Sequence, residues 1–440
     1  MSRQHWVYAI VLLAALSVSA QEVAPMSPQG IENAAADHSV QFDELLQRAE
    51  AGDANAQYSV ANAYATGSGV RKNDAEAVRW LRQAAQQGFA EAQNGLGCRY
   101  AHGTGVPRDY GEAARWFSSA AEQKMPAAQF DLAYMYEYGE GVPLDHARAA
   151  DLYRQAAAQG LARAQNSLGF AYQHGIGVPR NSTEAFHLYR LAAEQGLPSA
   201  QQNLGVMYFE GKGTARNYPE ALKWFNQAAN KGVIEAYHSV AHMYEYGNGV
   251  HRDPLKAAEL YRNAAEHGHV TSQIELARLY RTGQGLQQDN LEAAKWLRRA
   301  AEQGHPVAEN ALGYMYYRGE GVVRDYRQAA DWFQKAAEQD DALAQSNLGI
   351  LYQNGWGVPL NYAEAYKWFT LATNSRDAVS AVNAANKRAL KSLEQIMTRN
   401  QLRDGQERVS QWVSQRNALN STAHKAESSE RDSYASTVQP

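Results

Sequence analysis

Two histidines four residues apart, His238 and His242, come nearest in this sequence to a metal-binding pair. Residues four apart share one face of a helix, so two imidazoles at this spacing could reach one metal ion. The segment His-Ser-Val-Ala-His lacks the Glu of the zinc-protease pattern, and a third ligand such as Glu210 would have to come from a neighbouring segment. We therefore predict no native metal site and no cofactor, and interpret the pair as pH-sensitive surface histidines.

Other chemistry is sparse. The single cysteine, Cys98, can form no disulfide within the chain, and we expect it to be a small buried residue rather than a groove residue. No nucleophile recurs beside a base in a loop or cleft, so we predict no catalytic residues and no enzyme activity. The charges, 42 Lys and Arg against 46 Asp and Glu, are spread along the chain, which argues against nucleic acid as a partner.

The first twenty residues resemble a secretory signal peptide. Arg3 and His5 precede an apolar stretch over residues 7–16, and Val-Ser-Ala at 18–20 is a suitable cleavage site. The apolar stretch is too short to span a bilayer, and Gln21 replaces the Cys that a lipid anchor would need. We expect an exported protein, periplasmic or secreted, without stable membrane insertion.

The rest of the sequence is governed by a 36-residue period that runs nine times from residue 54 to about residue 377. Its clearest marker is a Gly-x-Gly pair. The pairs are Gly67/Gly69, Gly103/Gly105, Gly139/Gly141, Gly175/Gly177, Gly211/Gly213, Gly247/Gly249, Gly283/Gly285, Gly319/Gly321 and Gly355/Gly357. Apolar residues at helical spacing precede each pair, which predicts a helix A that ends where glycine can adopt positive φ.

A second helix, B, is predicted after an Asp or Asn that occurs in all nine repeats and can cap a helix N-terminus. These caps are Asn73, Asp109, Asp145, Asn181, Asn217, Asp253, Asp289, Asp325 and Asn361. Seven repeats place Glu or Gln three residues later, as in a capping box. Aromatic or Leu pairs followed by Ala-Ala form the predicted inner face of helix B. A single hairpin cannot bury its own apolar faces, so the sequence predicts an all-α fold, an α/α superhelical solenoid of nine helix-turn-helix repeats.

The same period predicts the organisation of the chain. Residues 1–20 are the signal peptide, 21–39 a disordered linker, 40–53 an N-terminal half-repeat cap, and 54–377 the nine repeats. Residues 378–417 are predicted to form C-terminal capping helices, with a capping box at Thr398 and Gln401 before Trp412. Residues 418–440 are polar and aperiodic and are predicted to be a disordered tail.

The repeat closely resembles the Sel-one-like repeat, a relative of the tetratricopeptide repeat. The resemblance rests on Ala-x-Ala-Gln-x-x-Leu-Gly-x-x-Tyr, Gly-x-Gly-Val, Trp-Phe and Ala-Ala-Glu-Gln-Gly, and residues 162–196 and 90–123 carry nearly all of it. It implies an α/α superhelix, frequently exported by bacteria and used as an adaptor, in envelope regulation or in contact with host cells. A cysteine-rich branch of the family has a proposed β-lactamase-like activity, but this chain lacks the paired cysteines and any Ser-x-x-Lys motif.

By analogy with tetratricopeptide repeats, partners bind a concave face lined by positions two, five, nine, twelve and thirteen of each repeat. Repeats three to six place there an aromatic and acidic set, comprising Phe130, Tyr134, Glu137, Tyr138, Phe170, Phe209, Glu210, Glu245 and Tyr246. Repeats seven and eight place a more basic set, comprising Arg278, Arg281, Tyr314, Tyr317 and Arg318. Tyr and Arg often anchor interfaces, although such residues also pack between helices or lie solvated.

We therefore predict an exported scaffold or adaptor that binds protein or peptide partners, in envelope regulation or host interaction. The alternative is an enzyme acting on cell-wall material or β-lactams, and a third possibility is a structural protein that associates with itself.

Overall fold

The computed structural model describes residues 42–375 and 380–435, which form helices and short loops with no β-strand in those ranges. Helix α1 spans 42–50. The A helices of repeats one to nine are α2 (Ala54–Thr66), α4 (Ala90–His102), α6 (Pro126–Tyr138), α8 (Ala162–His174), α10 (Pro198–Glu210), α12 (Ile234–Tyr246), α14 (Val270–Thr282), α16 (Pro306–Arg318) and α18 (Ala342–Asn354). The B helices are α3 (Asp74–Gln86), α5 (Tyr110–Glu122), α7 (His146–Ala158), α9 (Ser182–Glu194), α11 (Tyr218–Ala229), α13 (Pro254–Glu266), α15 (Asn290–Glu302), α17 (Tyr326–Glu338) and α19 (Tyr362–Asn374). Two further helices follow, α20 (Ser380–Ile396) and α21 (Arg399–Ala435). The predicted signal peptide and linker lie outside the described residues.

The chain forms two compact units. One comprises the described residues up to Ala164 with Ile176–Val178, and the other comprises Gln165–Gly175 and the residues from Pro179 onward. In the first unit each B helix packs on its own A helix, and α3 and α5 also pack on the A helix that follows, α4 and α6. The second unit repeats this pattern from α9 and α10 to α17 and α18. The predicted all-α solenoid of helical hairpins is thus confirmed within each unit.

Helix B begins at the predicted cap in every repeat. From Asn73 to Asn361, the side chain of each cap accepts a hydrogen bond from a backbone N–H of the first turn. The backbone N–H of each cap donates to a tyrosine carbonyl of helix A at 2.9–3.0 Å, as Asn73 does to Tyr64. In a full capping box, the Glu or Gln side chain three residues later would accept a hydrogen bond from the cap N–H. Here the tyrosine carbonyl accepts that bond, and the side chain of Glu76 pairs with Arg79 instead. The cap therefore fixes helix B to helix A.

The two glycines of each Gly-x-Gly pair serve different purposes. The first, such as Gly283 at φ +69°, ends helix A in the left-handed region, as predicted. The second, such as Gly285, also has positive φ, but a Cβ there would lie 2.3 Å from the carbonyl carbon and oxygen of Pro254. Pro254 begins helix B of the preceding repeat. The corresponding approach occurs at Gly105, Gly141, Gly177, Gly213, Gly249, Gly321 and Gly357. The sequence predicted the helix end and missed this contact between repeats.

A small residue at the eighth position of helix A faces a large buried side chain of helix B. A Cβ at Gly97 would lie 2.6 Å from the ring of Phe117, and one at Gly205 would lie 2.5 Å from Phe225. Where helix B carries Leu297 instead, Ala277 occupies the matching position and both are buried. At Gly97 and Gly205, the missing side chain on helix A therefore makes room for the phenylalanine ring of helix B.

A buried glutamine at position four joins neighbouring repeats. The Gln273 side-chain nitrogen donates to the Ala265 carbonyl of the preceding repeat at 3.0 Å, and Gln303 donates to the Gln273 side-chain oxygen at 2.9 Å. The first bond recurs at Gln57, Gln93, Gln201 and Gln345. Because a buried amide without partners is costly, these bonds favour one register between adjacent hairpins.

Helices α20 and α21 cover the last repeat. Leu393 is buried beside Phe369, and the rings of Trp368 and Trp412 meet edge to face with centroids 5.2 Å apart. Thr398 and Gln401 form the predicted reciprocal capping box, with bonds of 2.9 and 3.3 Å. Helix α21 continues to Ala435, whereas the tail was predicted to start at residue 418; residues 418–435 contain no Gly or Pro to end a helix. No helix in the described ranges is long and apolar enough to cross a bilayer.

Gly285→Ala is expected to destabilise the chain more than Gly268→Ala. Both glycines have positive φ, +73° and +89°, so alanine incurs a similar backbone cost of about 1 kcal/mol at either site. A Cβ at position 268 meets open space, whereas one at position 285 collides with the backbone at Pro254. We expect an additional loss of about 1–3 kcal/mol for Gly285→Ala in chemical denaturation. Equal losses for the two variants would contradict the proposed role of the second glycine.

Candidate interaction surface on the A helices

In the first unit, the predicted residues of repeat three lie around α6. The Phe130 ring packs on Tyr153 of α7 with centroids 5.4 Å apart, and the Arg163 guanidinium lies 4.9 Å from the Phe130 centroid. The rings of Tyr134 and Tyr138 are 4.5 Å apart, and Tyr138 is 40% exposed. Phe130 thus packs between helices, and the exposed aromatic surface here is carried by Tyr138.

Two of the predicted acidic residues point into their own repeats. The Tyr153 hydroxyl donates to Glu137 at 2.6 Å, and the Tyr261 hydroxyl donates to Glu245 at 2.9 Å. Glu245 is 2% exposed, and burial raises the pKa of the Glu137 carboxyl. Glu137 and Glu245 therefore add little negative charge to the predicted binding face, because their carboxylates hold tyrosines of helix B in place.

Arg278 is also engaged within the chain. It donates to Glu275 at 2.7 Å and forms an ion pair with Glu245. These carboxylates lie on the same helix and on the preceding A helix, so the arginine joins repeats six and seven. We therefore assign Arg278 to the packing between repeats, whereas it was predicted to bind a partner.

The aromatic residues of repeats four to six lie in the second unit. Phe170 stacks near His174 with centroids 4.3 Å apart and is 36% exposed. Phe209 packs against Tyr218 at 5.3 Å and His242 at 5.6 Å. Phe170 therefore reaches the surface, while Phe209 is half-buried.

Repeats five and six add one exposed ring and one exposed acid. Tyr246 lies 4.6 Å from His242, between ring centroids, and is 57% exposed. Glu210 is exposed and pairs with Lys212 at 2.8 Å. Tyr246 is thus the most accessible aromatic side chain among the predicted residues of this unit.

Repeats eight and nine bring together aromatic residues that were predicted only in part. Tyr317 lies 6.2 Å from Tyr314, 5.6 Å from Tyr326 and 6.0 Å from Trp356, between ring centroids. Tyr326 and Trp356 stack at 5.5 Å with 19° between their planes. Trp356 and Tyr326 were missed by the sequence reasoning because they lie outside helix A. A signal was present, since Trp356 is the sole aromatic residue at the middle of a Gly-x-Gly pair.

Arg318 follows Tyr317 on α16, and Arg281 of the preceding repeat approaches the same carboxylate, Glu320. Arg281 is 3.8 Å and Arg318 3.6 Å from Glu320, measured between guanidinium nitrogen and carboxylate oxygen. The Arg318 side chain is 56% exposed. One carboxylate is thus shared by two guanidinium groups, and of the predicted basic residues these two remain at the surface.

The paired histidines lie near a third histidine, His269, and we call the three the histidine cluster. His238 and His269 each place Nδ1 near the buried Ser272 hydroxyl, at 3.0 and 2.8 Å, and their ring centroids are 4.9 Å apart. His242 instead lies against Phe209 and Tyr246. Over the described ranges, no group of three or more His, Cys, Asp or Glu side chains is arranged to hold a metal ion.

Cys98 is half-buried at the junction of repeats two and three. Its sulfur lies 4.0 Å from the Asp131 carboxylate. Burial, followed by the nearby Asp131 charge, raises the pKa of the thiol to about 12, and burial raises the pKa of Asp131 to about 6. A thiol held protonated in this way is a poor nucleophile, which suits a packing role.

Lowering the pH from about 6.5 to about 4 is expected to destabilise the chain through the histidine cluster. Burial, then the nearby His269 and His242, lowers the pKa of His238 from 6.5 to about 4. Burial also lowers the pKa of His242 and His269. In this window the unfolded chain binds more protons than the folded chain, so the free energy of unfolding falls as the pH falls. For His238 alone the full loss is about 3 kcal/mol.

Thermal unfolding from pH 7 to pH 4 measures this effect. His238→Gln should show a smaller fall in melting temperature than the wild type, because glutamine does not titrate. His267→Gln is the control, since His267 is exposed and lies outside the cluster. Identical pH profiles for the wild type and His238→Gln would show that the cluster does not contribute.

Comparison with known proteins places this repeat in a family. The Sel1 repeat model matches nine consecutive segments, residues 54–89, 90–125, 126–161, 162–197, 198–233, 234–269, 270–305, 306–341 and 342–377. A search of curated proteins gives no match.

Two solved structures are similar in sequence. A Sel1 repeat protein from Oxalobacter formigenes is 33% identical over 77% of this chain and 99% of its own length, with a TM-score of 0.56. A protective antigen of uropathogenic Escherichia coli strains with an SLR fold is 32% identical over 85% of this chain and 94% of its own, with a TM-score of 0.49. The chain described here belongs to the Sel1 repeat family, a fold that is typically a non-catalytic scaffold for protein interaction.

Proposed function

We propose that this protein is an exported adaptor that binds protein or peptide partners on the surface lined by its A helices. The observation that carries the proposal is the aromatic side chains left exposed on the A helices or just after them, Tyr138 in the first unit and Phe170, Tyr246, Tyr314 and Trp356 in the second. Large aromatic residues at a protein surface are the side chains that most often anchor interfaces.

The different burial of the large residues on helices A and B supports this assignment. Large residues of helix B are buried in the packing between helices; Phe333 and Trp368, for example, are each 1% exposed. The exposed aromatics of α8, α12 and α16 instead contact rings of their own helix: Phe170 meets His174, Tyr246 meets His242, and Tyr314 meets Tyr317. A surface that does not determine the fold can vary to suit a partner.

Export and a role in the bacterial envelope or in contact with host cells form part of the proposal. Export rests on the pattern of residues 1–20, a basic start, a short apolar stretch and a small-residue cleavage site.

Site-specific photocrosslinking in the native envelope tests the binding surface. A benzophenone side chain in place of Tyr246 or Tyr314 should crosslink to the same partner protein. The same side chain in place of the exposed Glu259, on helix B, should give at most a weak product. Crosslinks that form only from position 259 would refute binding on the A helices.

The enzyme alternative is tested with the purified mature chain. We expect no steady turnover of nitrocefin or of muropeptides above a heat-denatured control. Turnover that persists through repeated purification and is lost on Tyr246→Ala would refute the adaptor proposal.

A further inference from the structure

One aromatic patch in the second unit has a composition that indicates a particular ligand. We define the Tyr317 patch as Tyr314, Tyr317, Tyr326 and Trp356. Its rings lie 5.5–6.2 Å from their neighbours, and Tyr314 and Trp356 are each 37% exposed. Trp356 follows α18, so the patch draws on two adjacent repeats and presents a broad aromatic surface.

The phenol groups of this patch remain available for hydrogen bonds. Elsewhere in the repeats a tyrosine hydroxyl often has a structural partner, as Tyr316 accepts from Arg298 and Tyr261 donates to Glu245. Across the described part of the chain, the hydroxyls of Tyr314, Tyr317 and Tyr326 bond no other group. The reason for Tyr317 is that its repeat carries Phe333 on helix B, where repeat six carries Tyr261. The hydroxyl of Tyr317, at position twelve of its repeat, therefore has no tyrosine hydroxyl on helix B to bond.

The charge beside the patch is positive. Arg281 and Arg318 share Glu320 at nitrogen-to-oxygen distances of 3.8 and 3.6 Å, longer than a direct hydrogen bond. One carboxylate cannot satisfy the donors of two guanidinium groups, each of which carries five N–H groups. The arginines therefore retain donors that could bind a second carboxylate, in the paired geometry that guanidinium favours.

We propose that the Tyr317 patch binds an acidic peptide segment in extended form. A large apolar or aromatic side chain of the peptide packs on Trp356 and Tyr317, and an adjacent Asp or Glu pairs with Arg318 and Arg281. The phenol groups bond the peptide backbone. The proposal rests on the function proposed above and specifies the chemistry of its ligand. A neutral glycan could also stack on the rings, but it would leave the arginine donors unused, so the peptide is favoured.

Selection of random heptapeptides displayed on phage against the immobilised mature chain tests the proposal. The wild type should enrich peptides in which an apolar or aromatic residue neighbours Asp or Glu. A selected peptide, labelled with fluorescein, should bind Trp356→Ala at least about tenfold more weakly, and Tyr314→Ala more weakly as well. Leu255→Ala, which removes a side chain that is 54% exposed on helix B and lies outside the proposed binding surface, should bind like the wild type.

The charged part of the site is tested separately. Arg281→Gln/Arg318→Gln should weaken binding of the selected peptide and remove its dependence on salt, and it should bind the Asn/Gln analogue of that peptide as well as the wild type does. Circular dichroism and melting temperature establish that each variant is folded. Should Trp356→Ala unfold, Tyr314→Ala measures the same contact.

The outcomes separate this inference from the proposed function. Enriched peptides that lack acidic residues, or that bind Trp356→Ala and Tyr314→Ala with unchanged affinity, overturn the Tyr317 patch while peptide binding elsewhere stands. Failure of the wild type to enrich any peptide contradicts both proposals. Binding of muropeptide glycan that is lost in Trp356→Ala and competes with the selected peptide overturns the assignment to peptides.

Discussion

The close approach of each inter-helix loop to the helix B that precedes it is the constraint on which the rest of this fold depends. A Cβ at Gly321 would lie 2.0 Å from the Asn290 carbonyl oxygen, so the contact exists only because the residue is glycine. A hairpin of two 13-residue helices has too little apolar surface to fold alone. Neighbouring hairpins must therefore touch along their whole length, loops included, before the apolar faces are buried.

Polar groups inside the stack then determine how each hairpin meets the next. The Gln273 amide reaches a carbonyl of the preceding repeat, and the Tyr261 hydroxyl reaches Glu245 across its own repeat. Such bonds hold inside the fold side chains, such as Glu245, that the sequence pattern predicts to lie at the surface. Where a repeat has Phe333 instead of Tyr261, the opposite position is free to serve another purpose, and Tyr317 occupies it. Variation in one buried residue thus alters the exposed face.

The sequence predicts the fold well because its signals are local. Caps such as Asn73 and helix ends such as Gly283 act through backbone groups within a few residues, and repetition in nine units removes ambiguity about their register. The candidate site is harder to predict, because whether a helix A side chain is exposed can depend on a partner sixteen or more residues away. Glu137 meets Tyr153, and Arg278 meets Glu245 in another repeat. Trp356 was not predicted to lie on the binding surface, because it is a loop residue and the surface was predicted from helix A positions alone.

Deletion of one whole period measures the central claim, that every hairpin offers its neighbours the same interface. Removing residues 270–305 joins repeat six to repeat eight in register, and the account predicts a folded chain with unchanged helical content per residue and cooperative unfolding. Removing residues 270–287 instead deletes half a period and should abolish cooperative unfolding, because loops no longer meet the preceding helix B. If the chain with the full-period deletion unfolded as readily as the half-period deletion, stacking of equivalent hairpins could not be what holds this protein together.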